Sequence, residues 1–416
     1  MDNIIVLKNV HVIDGISSNI KENSSVLIKG NKIIYVGNYH SDLLKEHDLL
    51  KEDKNVEIIN GNGMYLLPGL IDTHVHLGLD GTPDYLDIMI KEDPKLTTIK
   101  AVNRIEKILQ SGFTTIRTMG DKGHIDIALK KAVKEKIVKG PRIIASGKAI
   151  TITGGHGDLF PDNVSIEGIG RIADGPDEVR KAAREQLKLG ADNIKLMATG
   201  GGMSPGPGTV SQLTIKEMEA AVQEAEKYNK CTGAHAIGTE GIINALKAGV
   251  RTIEHGTFLN REGIELFLEK DAFLVPTLAA FKTLKYGEDG GVPEYHLKKV
   301  QYFNTEHTAN LQKAIKNGVK VIVGTDTGTP FNYHGESAYE LKALVKNGLS
   351  EMEAIKAATS VAACALKLEN VGKIVKGSLA DIILVAANPL EDIGLLENIE
   401  NIKMVIKDGD IIKKCF

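Results

Sequence analysis

The chain has 416 residues, 42% of them hydrophobic and 25% charged, which is the make-up of a globular protein with room for a barrel of roughly 250 residues or more and an accessory module. A formal net charge of -3 gives no electrostatic case for nucleic acid or a membrane surface. No stretch approaches the ~20 apolar residues of a membrane span, and the start, MDNIIVLKNV, lacks the charged and apolar regions of a signal peptide.

Residues 1–65 alternate in short strand-like runs, IIVLKNVHVID, SVLIKGNKIIYVG and VEIINGNGMYLL, separated by turn-rich or charged pieces. The same texture returns in GKIVKGSLADIILVA and NIKMVIKDGDIIKKCF, with an Asp408-Gly409 hairpin signal. Two β-rich ends around a different middle predict one small β-sandwich assembled from 1–65 and 369–416. Between them, 66–368 alternates strand and helix. Strands are expected at 66–79, 113–119, 142–146, 191–198, 232–236, 251–255, 272–277 and 319–326, with helical patterns such as DEVRKAAREQLKLG and IKEMEAAVQEAEKY between them. The expected class is therefore α/β, a (β/α)8 TIM barrel. Two long connections, 151–175 and 278–293, are expected to be loops that act as lids or substrate walls. Cys231, Cys364 and Cys415 are scattered and odd in number, so neither a disulfide framework nor a cysteine zinc site is expected, and a reducing cytoplasm is.

Polar residues gather where the predicted strands end. In LLPGLIDTHVHLGL, His74 and His76 are spaced i, i+2, so a strand presents both imidazoles on one face. Lys195 sits between Ile194 and Leu196 in the fourth strand, His235 ends the fifth, His255 the sixth and Asp326 the eighth. Each alone has an ordinary explanation: a lysine that snorkels to the rim, or a hydrogen-bonded core histidine. Six ligand-capable residues at the C-terminal ends of five strands point to chemistry, because that face carries the active sites of barrel enzymes.

That pattern, with PGLIDTHVHLG and the closing GSLADIILVAANPL, resembles the metal-dependent amidohydrolase superfamily in its binuclear, carboxylated-lysine form, over essentially the whole chain. The resemblance implies His74, His76 and Asp326 on one divalent metal, His235 and His255 on the other, and a CO2-derived carbamate on Lys195 bridging them. An ammonium cannot bind a cation, whereas a carbamate is an anionic oxygen ligand. Zinc is the metal expected. The implied reaction is attack of a metal-bridging hydroxide on an amide carbonyl, with Asp326 carrying the proton to the leaving nitrogen.

TITGGHGD, KLMATGGGMSPG, AHAIGTEGI, TIEHGTFL and GTDTGTPFNYHG resemble the imidazolonepropionase-like branch that includes prolidase-type (Xaa-Pro) dipeptidases and zinc carboxypeptidases. By that similarity His156 would stand over the pocket and bond the substrate's carbonyl or carboxylate. Gly201 and Gly202 would let backbone approach the ligand, and Tyr333 and His334 would lie near the rim. The expected substrate is a small molecule, a dipeptide or an N-acyl amino acid, and a homo-oligomer is expected by analogy. One departure stands out. Ile237 occupies the position two residues after the fifth-strand histidine where prolidase-like relatives would carry a carboxylate-binding Tyr. A mononuclear imidazolonepropionase-like enzyme has no need of Lys195, and a hydantoinase-type cyclic-amide hydrolase fits the AHAIGTEGI context less well. A non-catalytic scaffold on this fold would be expected to have lost ligands.

Overall fold

A computed structural model describes residues 3–40, 43, 56–160, 163, 166–204, 206–287 and 290–416. β-branched and leucine-rich runs at the N-terminal end form β1 (Ile4–Val12), β2 (Lys21–Lys29), β3 (Lys32–Asn38), β4 (Val56–Asn60) and β5 (Tyr65–Pro68). The middle supplies β6 (Leu70–Val75), β7 (Phe113–Thr118), β8 (Arg142–Ile144), β9 (Ala149–Thr151), β10 (Gly170–Ile172), β11 (Asn193–Met197), β12 (Cys231–Ala236), β13 (Thr252–His255), β14 (Phe273–Val275) and β15 (Lys320–Val321). The last strands are β16 (Ile382–Val385), β17 (Ile402–Lys407) and β18 (Asp410–Lys414).

Strands from the two ends pair with each other. The order is β18-β17-β16-β5-β1-β2-β3, with β4 beside β1, and the junction of the two ends is the antiparallel pair β5–β16, running from Tyr65↔Val385 to Pro68↔Ile382. The inward residues of both halves, among them Val12, Ile28, Leu66, Ile382, Leu384 and Met404, form one fully buried cluster. Because Leu66–Pro68 pair here, hydrogen bonding places them with the terminal strands. Arg142 on β8 ties this sheet to the rest: its Nη2 reaches Asp381 Oδ2 at 3.1 Å and Asp408 Oδ1 at 2.5 Å.

The middle strands form two parallel sheets, β6-β7-β8 and β10-β9-β11-β12-β13-β14-β15. Helices separate most of them. β6, β7, β11, β12, β13 and β14 are buried along their whole length, as parallel strands covered on both faces must be. This explains their near-continuous apolar sequences, and it makes each charged residue within them conspicuous. Backbone hydrogen bonds join the two sheets at both margins: Thr73 N donates to Val323 O (3.0 Å) and His76 N to Thr327 O (2.8 Å), while Asp192 N donates to Ala145 O (2.6 Å). The helices start where local chemistry dictates. Ile215–Glu226 opens on a Thr214/Glu217 capping box, and Pro176–Leu189 ends at Gly190, whose φ of 113° no Cβ hinders.

Two expectations need correction. The connection 151–175 is not an unbroken loop, since β10 pairs in parallel with β9 from Gly170↔Ala149 to Ile172↔Thr151. Three-residue strands are too short to show alternation in sequence. The connection 278–293 is largely helical, with a 3-10 turn at Leu278–Phe281 and a short helix at Lys282–Tyr286. Residues 161, 162, 164 and 165 of the first connection and 288 and 289 of the second lie outside the described residues.

Candidate metal centre

The ends of β6, β11, β12 and β13 and the segment after β15 open onto one cavity of about 110 Å³, which His74, His76, Lys195, His235, His255 and Asp326 all line. His74 and His76 project from the same face of β6 and its extension. Their Nε2 atoms lie 3.4 and 3.1 Å from the same atom, Asp326 Oδ1. Their other nitrogens are anchored. His74 Nδ1 is 2.8 Å from Glu254 Oε2 and His76 Nδ1 is 2.9 Å from the carbonyl of Gly120. Both anchors are acceptors, so each ring carries its hydrogen on Nδ1 and turns a bare Nε2 inward.

His255 follows the same logic through a hydroxyl. Thr277 donates its hydrogen to Pro276 O at 2.7 Å, so it accepts from His255 Nδ1, also at 2.7 Å. His235 is reversed: its Nε2 is 2.7 Å from Gly200 O, which leaves Nδ1 as the bare nitrogen. Its ring centroid lies 4.6 Å from that of His255 and 4.3 Å from that of His156. Among the described residues, His74, His255 and Asp326 form a ligand set whose donor atoms all lie within 4.8 Å of one another. This donor set, with bare imidazole nitrogens facing a carboxylate, fits a divalent transition metal. His255, Thr277 and Asp326 hold φ of 71°, 53° and 58°, the left-handed region that branched and bulky residues rarely adopt. Of these only Thr277 is β-branched, so the strain in this region sits at the residue that holds His255 Nδ1.

Charge in the cavity follows burial. Burial pushes His255 down to about 3 and holds His235 and His74 well below the usual imidazole range, with the Lys195 charge adding to the effect. For His76 burial also opposes protonation, but the hydrogen bond and charge of Asp326 outweigh it and raise the pKa. Burial works against the charge on Asp326 too, yet His74 and His76 hold its carboxyl far below the carboxylate range. Lys195 is 1% exposed, and burial lowers its ammonium to about 8. Among the described residues no carboxylate pairs with its Nζ.

Sequence reasoning missed the layer behind the ligands. Glu254, Arg117 and Thr277 position His74 and His255. Asp72 accepts from Thr325 Oγ1 (2.7 Å) and Thr325 N (3.1 Å), and Asp121 accepts from Gly78 N (2.6 Å). Those two carboxylates fix the backbone just before Asp326 and just after His76. The available signal was a charged residue inside an otherwise apolar strand, as in FTTIRTM and RTIEH.

Of the residues expected to touch substrate, His156 lines the cavity, with Nδ1 2.9 Å from Ser204 Oγ. Gly201 differs from expectation. A Cβ there would lie 2.5 Å from His156 Cε1, so its missing side chain makes room for that imidazole. Gly202 does line the cavity. Tyr333 is 42% exposed and stands against Gly81, outside the cavity wall, because the chain turns away after Asp326. His334 is buried and holds the carbonyl of His76 through Nε2 at 3.1 Å, so it is no surface rim residue. Ile237 contributes an apolar patch to the cavity.

Residues 65–412 match the amidohydrolase family model. Ochratoxinase of Aspergillus niger is 31% identical over 414 residues, covering 94% of this chain and 83% of that protein, and its crystal structure superposes with a TM-score of 0.86 over 100% of this chain and 96% of that one. The crystal structure of a Xaa-Pro dipeptidase with bound methionine in the active site is 34% identical, with a TM-score of 0.89 over 99% of this chain and 100% of that one. A prolidase complexed with N-methylphosphonate-L-proline is 33% identical, with a TM-score of 0.89 and the same coverage. The chain belongs to the amidohydrolase family and is a hydrolase acting on C–N bonds.

Proposed function

We propose that the protein is a binuclear metal-dependent hydrolase that cleaves the amide or peptide bond of a small substrate, a dipeptide or an N-acyl amino acid. The observation that carries this reading is the convergence of bare imidazole nitrogens and Asp326 on one point, with Lys195 buried beside them and unpaired among the described residues. In this reading 66–368, apart from Leu66–Pro68 at its edge, is a (β/α)8 barrel, and 1–65 with 369–416, joined by those three residues, a composite sandwich. The margin hydrogen bonds between the two parallel sheets and the shared cluster of the terminal strands support that division. His74, His76 and Asp326 would hold one zinc ion, His235 and His255 the other, and a carbamate on Lys195 would serve both.

The metals, when bound, would acidify a water and polarise the scissile carbonyl. The chain does the rest. Both histidines make their closest approach to Asp326 Oδ1, and the other oxygen, Oδ2, would accept a proton and return it to the leaving nitrogen. His156, kept neutral by burial that lowers it to about 3, would donate a hydrogen bond to the substrate's oxygen. Apolar walls from Met197, Met203 and Phe303 exclude bulk water and suit an apolar side chain. Relatives named as dipeptidase, prolidase and ochratoxinase support hydrolysis of a small amide.

The test is metal content per chain together with hydrolysis of a panel of dipeptides and N-acyl amino acids. Two metals per chain and release of free amino acid are expected. A panel left intact by the metal-loaded protein would overturn the substrate class. A mononuclear reading has one observation in its favour: His74, His255 and Asp326 are the only group of metal-capable side chains in mutual reach among the described residues. Full activity at one metal per chain would establish it.

A further inference from the structure

His296 is a buried histidine, 4% exposed, on the third residue of the helix Glu294–Lys316, and it lines the cavity. Its Nδ1 has no hydrogen-bond partner, and its Nε2 lies 3.6 Å from where a Cβ on Gly202 would stand. Thr283, from the short helix Lys282–Tyr286, lines the same cavity and also has a buried Oγ1 with no partner. Leaving such groups unsatisfied costs about 1–3 kcal/mol each, and both residues line the one cavity in which a ligand could supply the missing partner.

The setting specifies the ligand's charge. The first turn of a 23-residue helix presents its positive dipole end. One turn on, Lys299 Nζ is held by the carbonyls of Ser204 (2.6 Å) and Gly201 (3.4 Å), and among the described residues no carboxylate neutralises it. The Lys299 charge is felt at His296, where it adds to burial in pushing the imidazole down to about 4. A neutral imidazole N–H and a hydroxyl beside a positive potential suit an anion. Elsewhere in the cavity, Ile237 presents a side chain that cannot hydrogen-bond.

We infer that His296, supported by Thr283, is a specificity-determining residue that binds the free carboxylate of the substrate. The inference rests on the proposed amide hydrolysis for its choice of substrate, and its test separates the two. Binding of N-acetyl-L-leucine and of N-acetyl-L-leucinamide to the metal-loaded protein is measured by calorimetry, and turnover of both is followed by release of free amine. The wild type is expected to prefer the acid. His296→Leu is expected to bind the acid about tenfold or more weakly and to raise its KM by a similar factor, with little change for the amide and unchanged metal content. His296→Asn, which restores an N–H donor, is expected to recover part of the preference. A wild type without preference for the acid, or a preference that persists in His296→Leu, overturns the inference. If the wild type turns over neither compound, the wider panel of dipeptides and N-acyl amino acids decides the substrate class, and the binding data still decide the role of His296.

Discussion

Arg117 and Glu254 form an ion pair in which neither side chain is exposed at all: Nη2 lies 2.9 Å from Oε1, and the other carboxylate oxygen holds His74 Nδ1. Each nitrogen of Arg117 donates within the fold, since Nε reaches Thr73 O at 2.6 Å and Nη1 reaches Thr252 Oγ1 at 2.9 Å. A planar, permanently charged fork satisfies three acceptors at fixed angles, which an ammonium cannot do. The pair therefore joins β6, β7 and β13 and sets the tautomer of a ligand at once.

Replacing Arg117 by Met leaves Glu254 as a buried charge with only His74 and Thr252 to balance it. Losing one partner of a buried pair costs about 3–5 kcal/mol. Arg117→Met is expected to lower the denaturant midpoint accordingly, with Arg117→Lys close behind and Arg117→Met/Glu254→Leu recovering part of the loss. Equal stability of the double variant and Arg117→Met would show that the unpaired charge is not the cause.

Thr277 gives a cleaner test of ligand orientation. Valine matches its shape and removes the oxygen that accepts from His255 Nδ1, so the imidazole is no longer held with Nε2 inward. Loss of such a supporting hydrogen bond weakens metal binding about 10–100-fold. Thr277→Val is expected to release metal to a chelator at that lower affinity, while Thr277→Ser retains it. Equal retention by both variants would mean that ring packing alone orients His255.

Much of this centre was legible because parallel strands buried on both faces tolerate few polar residues. Lys195 between Ile194 and Leu196 and His235 between Ala234 and Ala236 therefore stood out, and with His74 and His255 their positions at strand ends pointed to one mouth. Residues acting through space were harder to read. Arg117 and Glu254 lie 137 positions apart and meet only because the fold brings β7 and β13, which belong to different sheets, within reach of one another. Gly201 was read as a ligand approach because a glycine in sequence says that space is needed without saying for what. Tyr333 is close to Asp326 in sequence, but a turn intervenes, with Asn332 donating to Thr325 O at 2.7 Å.

Glu224 carries a pH-dependent share of stability far from the cavity. It accepts from Arg184 Nη2 (3.0 Å), Lys227 Nζ (2.8 Å) and Arg180 Nη1 (3.0 Å), and these bonds, Arg184 first, push its carboxyl down to about 2 against burial. A folded-state pKa below the unfolded value of 4.5 means the contribution is complete above that pH and disappears as pH falls toward about 2. Glu224 itself is 3% exposed, but Arg184 and Lys227 are 59% and 55% exposed, so screening reduces the contribution to about 1 kcal/mol. Glu224→Gln is expected to lose that amount at pH 7 and nothing near pH 2, measured by urea unfolding at a series of pH values. A pH-independent difference would assign the loss to packing.

Gly201 is the position where one methyl group separates two readings of the loop. A Cβ there would lie 2.5, 2.6 and 2.8 Å from Cε1, Nε2 and Nδ1 of His156, so Gly201→Ala must move the imidazole. A shift of about 1 Å in a group that orients substrate can cost 10²-fold in rate, whereas metal ligands on β6 and β13 are untouched. Gly201→Ala is therefore expected to keep its metal and lose about 10–100-fold in kcat. If the alanine acts only through His156, it adds nothing once that ring is gone. Gly201→Ala/His156→Ala should then be no slower than His156→Ala alone, a full departure from additivity. Additive losses in the double variant would instead mean that the loop backbone at Gly201 contacts the substrate directly.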